Sequence, residues 1–267
     1  MGILEGLWLS FLQSFTEFLP VSSSGHLLFF KNIINHHDIP LIMDILLHTG
    51  SLVAVILYFR GSIRQTFSKA LHEIRHWPEE KTHSKFVAYV LISTLVTFTG
   101  YLVFKGPIEA RIQTPAVLKY TYLITTLVLL ATIWNRHSHN QLITRKGILF
   151  AVIVGAIQII AILPGVSRSG MTISIMLLLG VERSEAAYYS FMLFIPAALG
   201  AFLFKIFNVS NLQFLQANWL PLLISLLSTI LLSALFLSLL TWIVRRGRMY
   251  LFSVYTLGMA VLAWILF

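Results

Sequence analysis

Six runs of roughly 20 mostly apolar residues constrain this chain more than any other feature. They fall at 40–59, 87–104, 117–134, 188–207, 219–242 and 250–267. As helices, such runs are long enough to cross the hydrocarbon core of a bilayer. Hydrophobic residues make up 57% of the 267, charged residues 11%, and the mean hydropathy is +0.84. In water that composition leaves too little polar surface to cover the runs. In lipid, a helix satisfies its own backbone hydrogen bonds, so the expected class is an all-α polytopic membrane protein. No polar stretch could form a second domain, and residues 1–267 are expected to make one membrane-embedded unit.

Two further apolar regions are interrupted. Residues 3–19 end at Pro20 and lead through Val-Ser-Ser-Ser-Gly-His into a short apolar run at 27–30. Residues 147–163 end at Pro164-Gly165 and lead through Val-Ser-Arg-Ser-Gly into a short run at 171–179. Neither second run can cross alone, so each pair is expected to enter the bilayer, turn and return as a re-entrant hairpin. The two turns also resemble each other. Glu17-Phe-Leu-Pro20-Val-Ser-Ser-Ser-Gly25 aligns with Ala161-Ile-Leu-Pro164-Gly-Val-Ser-Arg-Ser-Gly170, with Gly165 inserted and Arg168 in place of Ser23. Downstream, 47–54 resembles 194–201. The expected architecture is therefore six transmembrane helices plus two re-entrant hairpins in an inverted-topology repeat, with halves of roughly 1–135 and 136–267.

Charge placement supports that count. With both hairpins returning to their side of origin, thirteen of the 19 Lys and Arg residues fall on one side. These are Arg60, Arg64, Lys69, Arg75, Lys81, Lys85, Arg136, Arg145, Lys146, Arg183, Arg245, Arg246 and Arg248. Lys31, Lys105 and Arg111 fall on the other. The positive-inside rule then places both termini and the first hairpin outside, and the second hairpin enters from the cytoplasm. The net charge of +9 is accounted for by these loops, so nucleic acid is not an expected partner. No cysteine is present, which excludes disulfide and thiolate chemistry. The N-terminus is not expected to be a signal peptide, because it lacks a basic start and carries Glu5 and Glu17.

The polar residues within the apolar segments are the candidate site. Each turn ends in Ser/Gly and opens a short helix, whose free N–H groups and dipole attract an anion such as phosphate. The candidate anion ligands are Ser22, Ser24 and Gly25 in the first turn, and Gly165, Ser167, Ser169, Gly170 and Thr172 in and after the second. Arg168 needs an anionic partner at such depth; a phosphate suits its fork, and a salt bridge to Glu17 is the plainer reading. Glu17 could balance Arg168 or hold a divalent cation, Mg²⁺ or Ca²⁺, with Gln13 one helical turn earlier. His26 could act as base toward a serine, attack phosphorus itself, or simply bond a carbonyl within the core. Asp44 and His48, one turn apart, form a weaker candidate pair behind the site. The remaining histidines (His36, His37, His72, His76, His83, His137 and His139) sit in loops and are expected to be solvated. The sequon Asn208-Val-Ser210 carries no weight.

Gln13-x-x-x-Glu17 running into Phe-Leu-Pro-Val-Ser-Ser-Ser-Gly-His26, with Pro164-Gly-Val-Ser-Arg-Ser-Gly-x-Thr172 later, resembles the bacterial undecaprenyl-diphosphate phosphatase family of the bacitracin-resistance type. The resemblance covers essentially the whole chain and implies hydrolysis of undecaprenyl diphosphate to the monophosphate carrier lipid of the cell envelope. It implies a polyprenyl diphosphate substrate, the bacterial plasma membrane, and functional roles for Glu17, Ser23, His26, Arg168, Ser169 and Thr172. Either Ser23 or His26 is the nucleophile in family terms. Adjacent hydroxyl and imidazole favour attack by Ser23 with His26 as base. Gln13 stands where many members have Glu, which argues against a two-carboxylate metal site. A homo-oligomer is compatible with the sequence.

Three other readings compete. A secondary transporter or flippase for an anionic lipid or phosphate shares the broken helices, but it would not need a nucleophile such as Ser23. The unrelated lipid-phosphatase superfamily expects a further histidine soon after its arginine, and none follows Arg168 there. A non-catalytic scaffold leaves the embedded Glu17 and Arg168 unexplained.

Overall fold

The structure is a computed structural model that describes residues 2–33, 41–76, 78, 81–112, 114–134, 143–206 and 217–267. His36, His37, Arg136, His137, His139 and the sequon at 208–210 lie outside the described residues. Within them the chain is all-helical, with no strand. The α-helices are α1 (Ile3–Phe18), α2 (Ser23–Ile33), α3 (Leu41–Tyr58), α4 (Arg60–His76), α5 (Thr82–Ile112) and α6 (Leu118–Ala131). They continue as α7 (Ile148–Ile160), α8 (Arg168–Leu178), α9 (Arg183–Ile206), α10 (Trp219–Arg245) and α11 (Phe252–Leu266).

Among the described residues, five helical segments are long and apolar enough to cross a membrane: Thr82–Pro107, Pro115–Trp134, Arg183–Leu203, Trp219–Arg245 and Met249–Leu266. α3 and α4 reach that standard together, bent by 67° at their junction, which makes up to six. The chain is thus a multi-pass membrane protein. α4 replaces what the sequence reads as a basic loop. It carries Arg60, Arg64, Lys69 and Arg75 alongside a solvent-facing apolar stripe of Phe67, Leu71 and Ile74. That pattern suits a helix lying in the headgroup region rather than crossing. It packs along α5, joined by Glu73, whose carboxylate accepts from the backbone N–H groups of His83 and Ser84 at 3.0 and 2.8 Å. Both groups lie in the first turn of α5, where a carboxylate satisfies orphan donors.

Lipid supplies no hydrophobic drive between helices, so their contacts rest on small residues and hydroxyls. α1 presents Gly6, Ser10 and Ser14 at four-residue spacing to Ser225, Thr229 and Ser233 of α10. Ser10 Oγ donates to the Ser225 carbonyl at 2.9 Å, and Ser233 Oγ bonds Ser14 Oγ at 3.1 Å. Gly50 of α3 touches the same seam: a Cβ there would lie 2.9 Å from the Thr229 side chain. Gly155 of α7 lies against the Ser93 carbonyl of α5 in the same way. Each such polar contact contributes about 0.6–2 kcal/mol in a membrane.

The two interruptions have identifiable causes. Leu19 precedes Pro20 and is extended (φ −65°, ψ 149°), as steric conflict with the proline ring requires, and this ends α1. After α7, Gly165 takes φ +89° beside Pro164, in the left-handed region that glycine enters at little cost. Ser22 enters the same region at φ +69° without being glycine, and its tertiary contacts hold it there.

Candidate active site

The two turns meet. A Cβ on Gly25 would fall 2.7 Å from the backbone of Gly165, so at this contact only glycine lets the chains approach so closely. Ser22 Oγ accepts from the N–H of Gly165 at 3.1 Å, and Ser169 Oγ donates to the Phe18 carbonyl at 3.1 Å. Within each turn the same cap recurs. Ser22 Oγ accepts from Gly25 N–H at 3.3 Å, and Ser167 Oγ accepts from Gly170 N–H at 3.1 Å. Each serine thereby satisfies one orphan donor at the start of α2 or α8, leaving the preceding first-turn N–H groups for a ligand.

A pocket of about 350 Å³ opens where the turns meet. Its walls include Glu17, Ser22, Ser23, Ser24 and His48 from the first half of the chain. Val166, Ser167, Arg168, Phe194, Ala197, Ala198 and Ala201 come from the second. Glu17 is its hub. Oε1 accepts from Arg168 Nη2 at 2.7 Å, and Oε2 accepts from Ser23 Oγ at 2.7 Å and from Gln13 Nε2 at 3.3 Å. His48 Nε2 stands 3.9 Å from Oε2. Its Nδ1 donates to the Asp44 carbonyl at 2.9 Å, with Asp44 Oδ1 at 3.4 Å, so the ring is held from behind. The Arg168 guanidinium also lies over the Phe194 ring, 4.1 Å from its centroid. The Glu17 side chain retains 8% exposure and that of Arg168 20%. Removing either charge would strand its partner in a poorly solvated place.

Arg168 therefore makes the salt bridge that was its plainer reading, while still lining the pocket. A guanidinium has five donors, so the bond to Glu17 leaves others for an anion. His26 follows its plainer reading too. It is buried; Nδ1 donates to the Ser22 carbonyl at 2.8 Å, with the Tyr122 hydroxyl 3.1 Å away, and Nε2 accepts from the Tyr255 hydroxyl at 2.7 Å. No hydrogen bond joins it to Ser23, whose hydroxyl goes to Glu17 instead. His26 thus braces the strained Ser22, and its assignment as base toward Ser23 finds no supporting contact.

The other sequence candidates divide between wall and frame. Ser22, Ser24 and Ser167 line the pocket, whereas Gly25, Gly165, Ser169, Gly170 and Thr172 lie behind it. Thr172 Oγ1 donates to the Arg168 carbonyl at 2.9 Å and meets Ser190 Oγ at 2.6 Å, which ties α8 to α9. Gln13 faces a narrow crevice beside Ser23 and Asp44 rather than the main pocket. A divalent cation fits these residues poorly. Both Glu17 oxygens already accept from other groups, Gln13 offers Glu17 its amide nitrogen, and no group of three or more His, Cys, Asp or Glu able to hold a metal occurs among the described residues.

His48, expected behind the site, forms part of its wall. Phe194, Tyr122 and Tyr255 were not among the sequence candidates. Tyr122 lies in a stretch with no local signal of chemistry, and Tyr255 meets His26 only through the tertiary fold, 229 residues away. One signal did exist for His48 and Phe194. The stretches 47–54 and 194–201 resemble each other, and both line the pocket.

Known proteins share this arrangement of sequence. The pattern of the bacitracin resistance protein BacA family matches residues 6–262. An undecaprenyl-diphosphatase of Treponema denticola is 32% identical, covering 99% of this chain and 98% of that protein. One of Alteromonas mediterranea is 36% identical over the full length of both. One of Korarchaeum cryptofilum is 34% identical, covering 98% of this chain and 99% of its own. A match spanning nearly all of the sequence, with full-length relatives above 30% identity, places the chain in the bacitracin resistance protein BacA family.

Proposed function

We propose that this chain hydrolyses undecaprenyl diphosphate to undecaprenyl phosphate and inorganic phosphate, returning the carrier lipid to envelope polymer synthesis in the plasma membrane. The observation that carries the reading is the Ser23–Glu17–Arg168 chain of hydrogen bonds at the wall of the pocket. Its full-length relatives are named for that activity.

In this reading the terminal phosphoryl lies between the starts of α2 and α8. The helix dipoles, the free first-turn N–H groups and the remaining Arg168 donors hold its oxygens. Ser23 Oγ attacks phosphorus and its proton passes to Glu17 Oε2, 2.7 Å away. The phosphorus–oxygen bond to the lipid phosphate breaks, and undecaprenyl phosphate leaves with the bonding electrons. The departing undecaprenyl phosphate takes that proton from Glu17. Water then attacks the serine phosphate, giving a proton to the freed carboxylate, and as the bond from phosphorus to Ser23 Oγ breaks the proton passes to the serine and inorganic phosphate is released. His26, fixed by Tyr122 and Tyr255, keeps Ser22 in its left-handed conformation and Ser23 turned to the pocket. In this reading Glu17 acts as the proton acceptor, its oxygens held by Arg168, Ser23 and Gln13.

The same reading makes 1–267 one domain built from halves of roughly 1–135 and 136–267, with the two broken regions as re-entrant hairpins of an inverted repeat. The shared serine caps and the meeting of the turns support this. The charge asymmetry supports outside termini, and substrate then reaches the pocket from the outer side.

Purified protein in detergent, given a long-chain polyprenyl diphosphate, is expected to release inorganic phosphate and an equal amount of polyprenyl monophosphate. Tight diphosphate binding by folded protein without any release would contradict hydrolysis and favour transport.

A further inference from the structure

A second cavity of about 370 Å³ adjoins the first, between α5 and α9. The two cavities share three wall residues, Ile162, Ala197 and Ala201. Small residues in membrane helices ordinarily mark places where helices touch, as Gly50 and Gly155 do here. The small residues of this cleft are different. A Cβ added to Gly200 would meet nothing within 4 Å, and Ala197 and Ala201 are exposed. Their size preserves an opening rather than a contact. The polar groups at the back are already matched: Thr97 Oγ1 donates to the Ser93 and Gly155 carbonyls and accepts from Gln158 Nε2. What remains for an occupant is a mostly apolar wall, edged by Tyr101 and the exposed ring of Phe98.

We propose that this cleft is the tail subsite, holding the isoprene units nearest the diphosphate and admitting the lipid sideways between α5 and α9. This deepens the hydrolase reading and rests on it. An occupant whose head lies on Arg168 must carry its chain out of the site pocket into lipid. Besides the crevice of about 20 Å³ beside Gln13 and Ser23, two side cavities adjoin that pocket among the described residues. The one between α3 and α9, beside His48, is only about 60 Å³. The α5–α9 cleft is the larger, and its apolar lining matches an isoprenoid rather than a headgroup.

The test is photolabelling with a polyprenyl diphosphate carrying a diazirine in its first isoprene units, followed by peptide mapping. Adducts are expected within 94–101 and 193–201, suppressed by excess unlabelled polyprenyl diphosphate. Gly200→Leu, whose Cβ would meet nothing within 4 Å, puts side-chain volume into the cleft and should cut that labelling about tenfold or more. It should also lower the kcat/KM ratio of the long-chain diphosphate to ethyl diphosphate, which carries no isoprene unit, by a similar factor. Gly258→Leu, at another open helix position that lines neither cavity, should leave both readings at the parent value. Adducts concentrated on α3 or α11, adducts that resist competition, or equal effects of the two leucines would each overturn the subsite. Phosphate release by the unlabelled parent is measured in parallel. Its absence would count against hydrolysis, while the adduct map would still decide where the tail lies.

Discussion

The two turns share a backbone device and differ in what they hold. Both place a proline before a serine cap, a second serine two residues on and a glycine three residues on. At the position between the serines, the first turn carries Ser23 and the second Arg168. Where the first has Glu17, the second has Ala161. One turn therefore contributes the hydroxyl and carboxylate, the other the guanidinium, and the Glu17–Arg168 bond joins them. The left-handed position differs as well. The second turn uses Gly165 for it, whereas the first uses Ser22, whose hydroxyl accepts from both turns. A repeated scaffold with divided chemistry places opposite charges side by side at the wall of one pocket.

The largest effect should come from the first turn. Ser23→Ala is expected to lower phosphate release by about 10⁴-fold with binding largely retained, because the attacking atom is lost while the anion site remains. The readout is single-turnover release beside equilibrium binding of the diphosphate. In the second turn, Arg168→Lys should cost about 10²-fold in kcat/KM. A point charge replaces a fork that must serve Glu17 and a phosphate together. Parent-like kinetics for this variant would mean that the second turn contributes charge alone.

The caps should differ in stability. Ser22→Ala removes an acceptor used by two N–H groups and should cost about 2 kcal/mol, whereas Ser167→Ala removes one and should cost about 1 kcal/mol. Thermal unfolding in detergent would measure both, and equal losses would deny the bridging role of Ser22.

The smallest effect lies outside both turns. Burial works to raise the Glu73 carboxyl, but bonds from the Ser84 and His83 backbones, the His83 ring and the Ser84 hydroxyl outweigh it and hold the group down to about 2. A depressed carboxylate stabilises the fold above its ordinary value of 4.5, and that contribution fades as pH falls from there toward 2. Glu73→Gln should therefore flatten the acid side of the stability profile. Phosphate release at neutral pH should stay at the parent level.

Much of this was legible before the fold was seen. Apolar runs of spanning length have few alternatives, and all six coincide with helices. Proline followed by serine and glycine marked both breaks, because pre-proline sterics and left-handed glycine act within a few residues. Glu17, Ser23 and Arg168 were legible because charge and hydroxyl stand out against apolar surroundings. α4 was not, since dense basic residues hid an apolar stripe only three residues long. The contacts of His26 were not either. An imidazole beside serines suits base catalysis and bracing equally well, and its partners Tyr122 and Tyr255 are distant in sequence. The α5–α9 cleft is a property of missing side-chain volume, which leaves no motif at all.

The most direct test of a site shared between the turns is a double-mutant cycle on phosphate release, using Ser23→Ala, Arg168→Ala and the pair. A hydroxyl and a guanidinium acting on one phosphoryl group should be strongly non-additive, with the double variant about as slow as Ser23→Ala alone. Losses that simply multiply, as for independent sites, would contradict a joint active site.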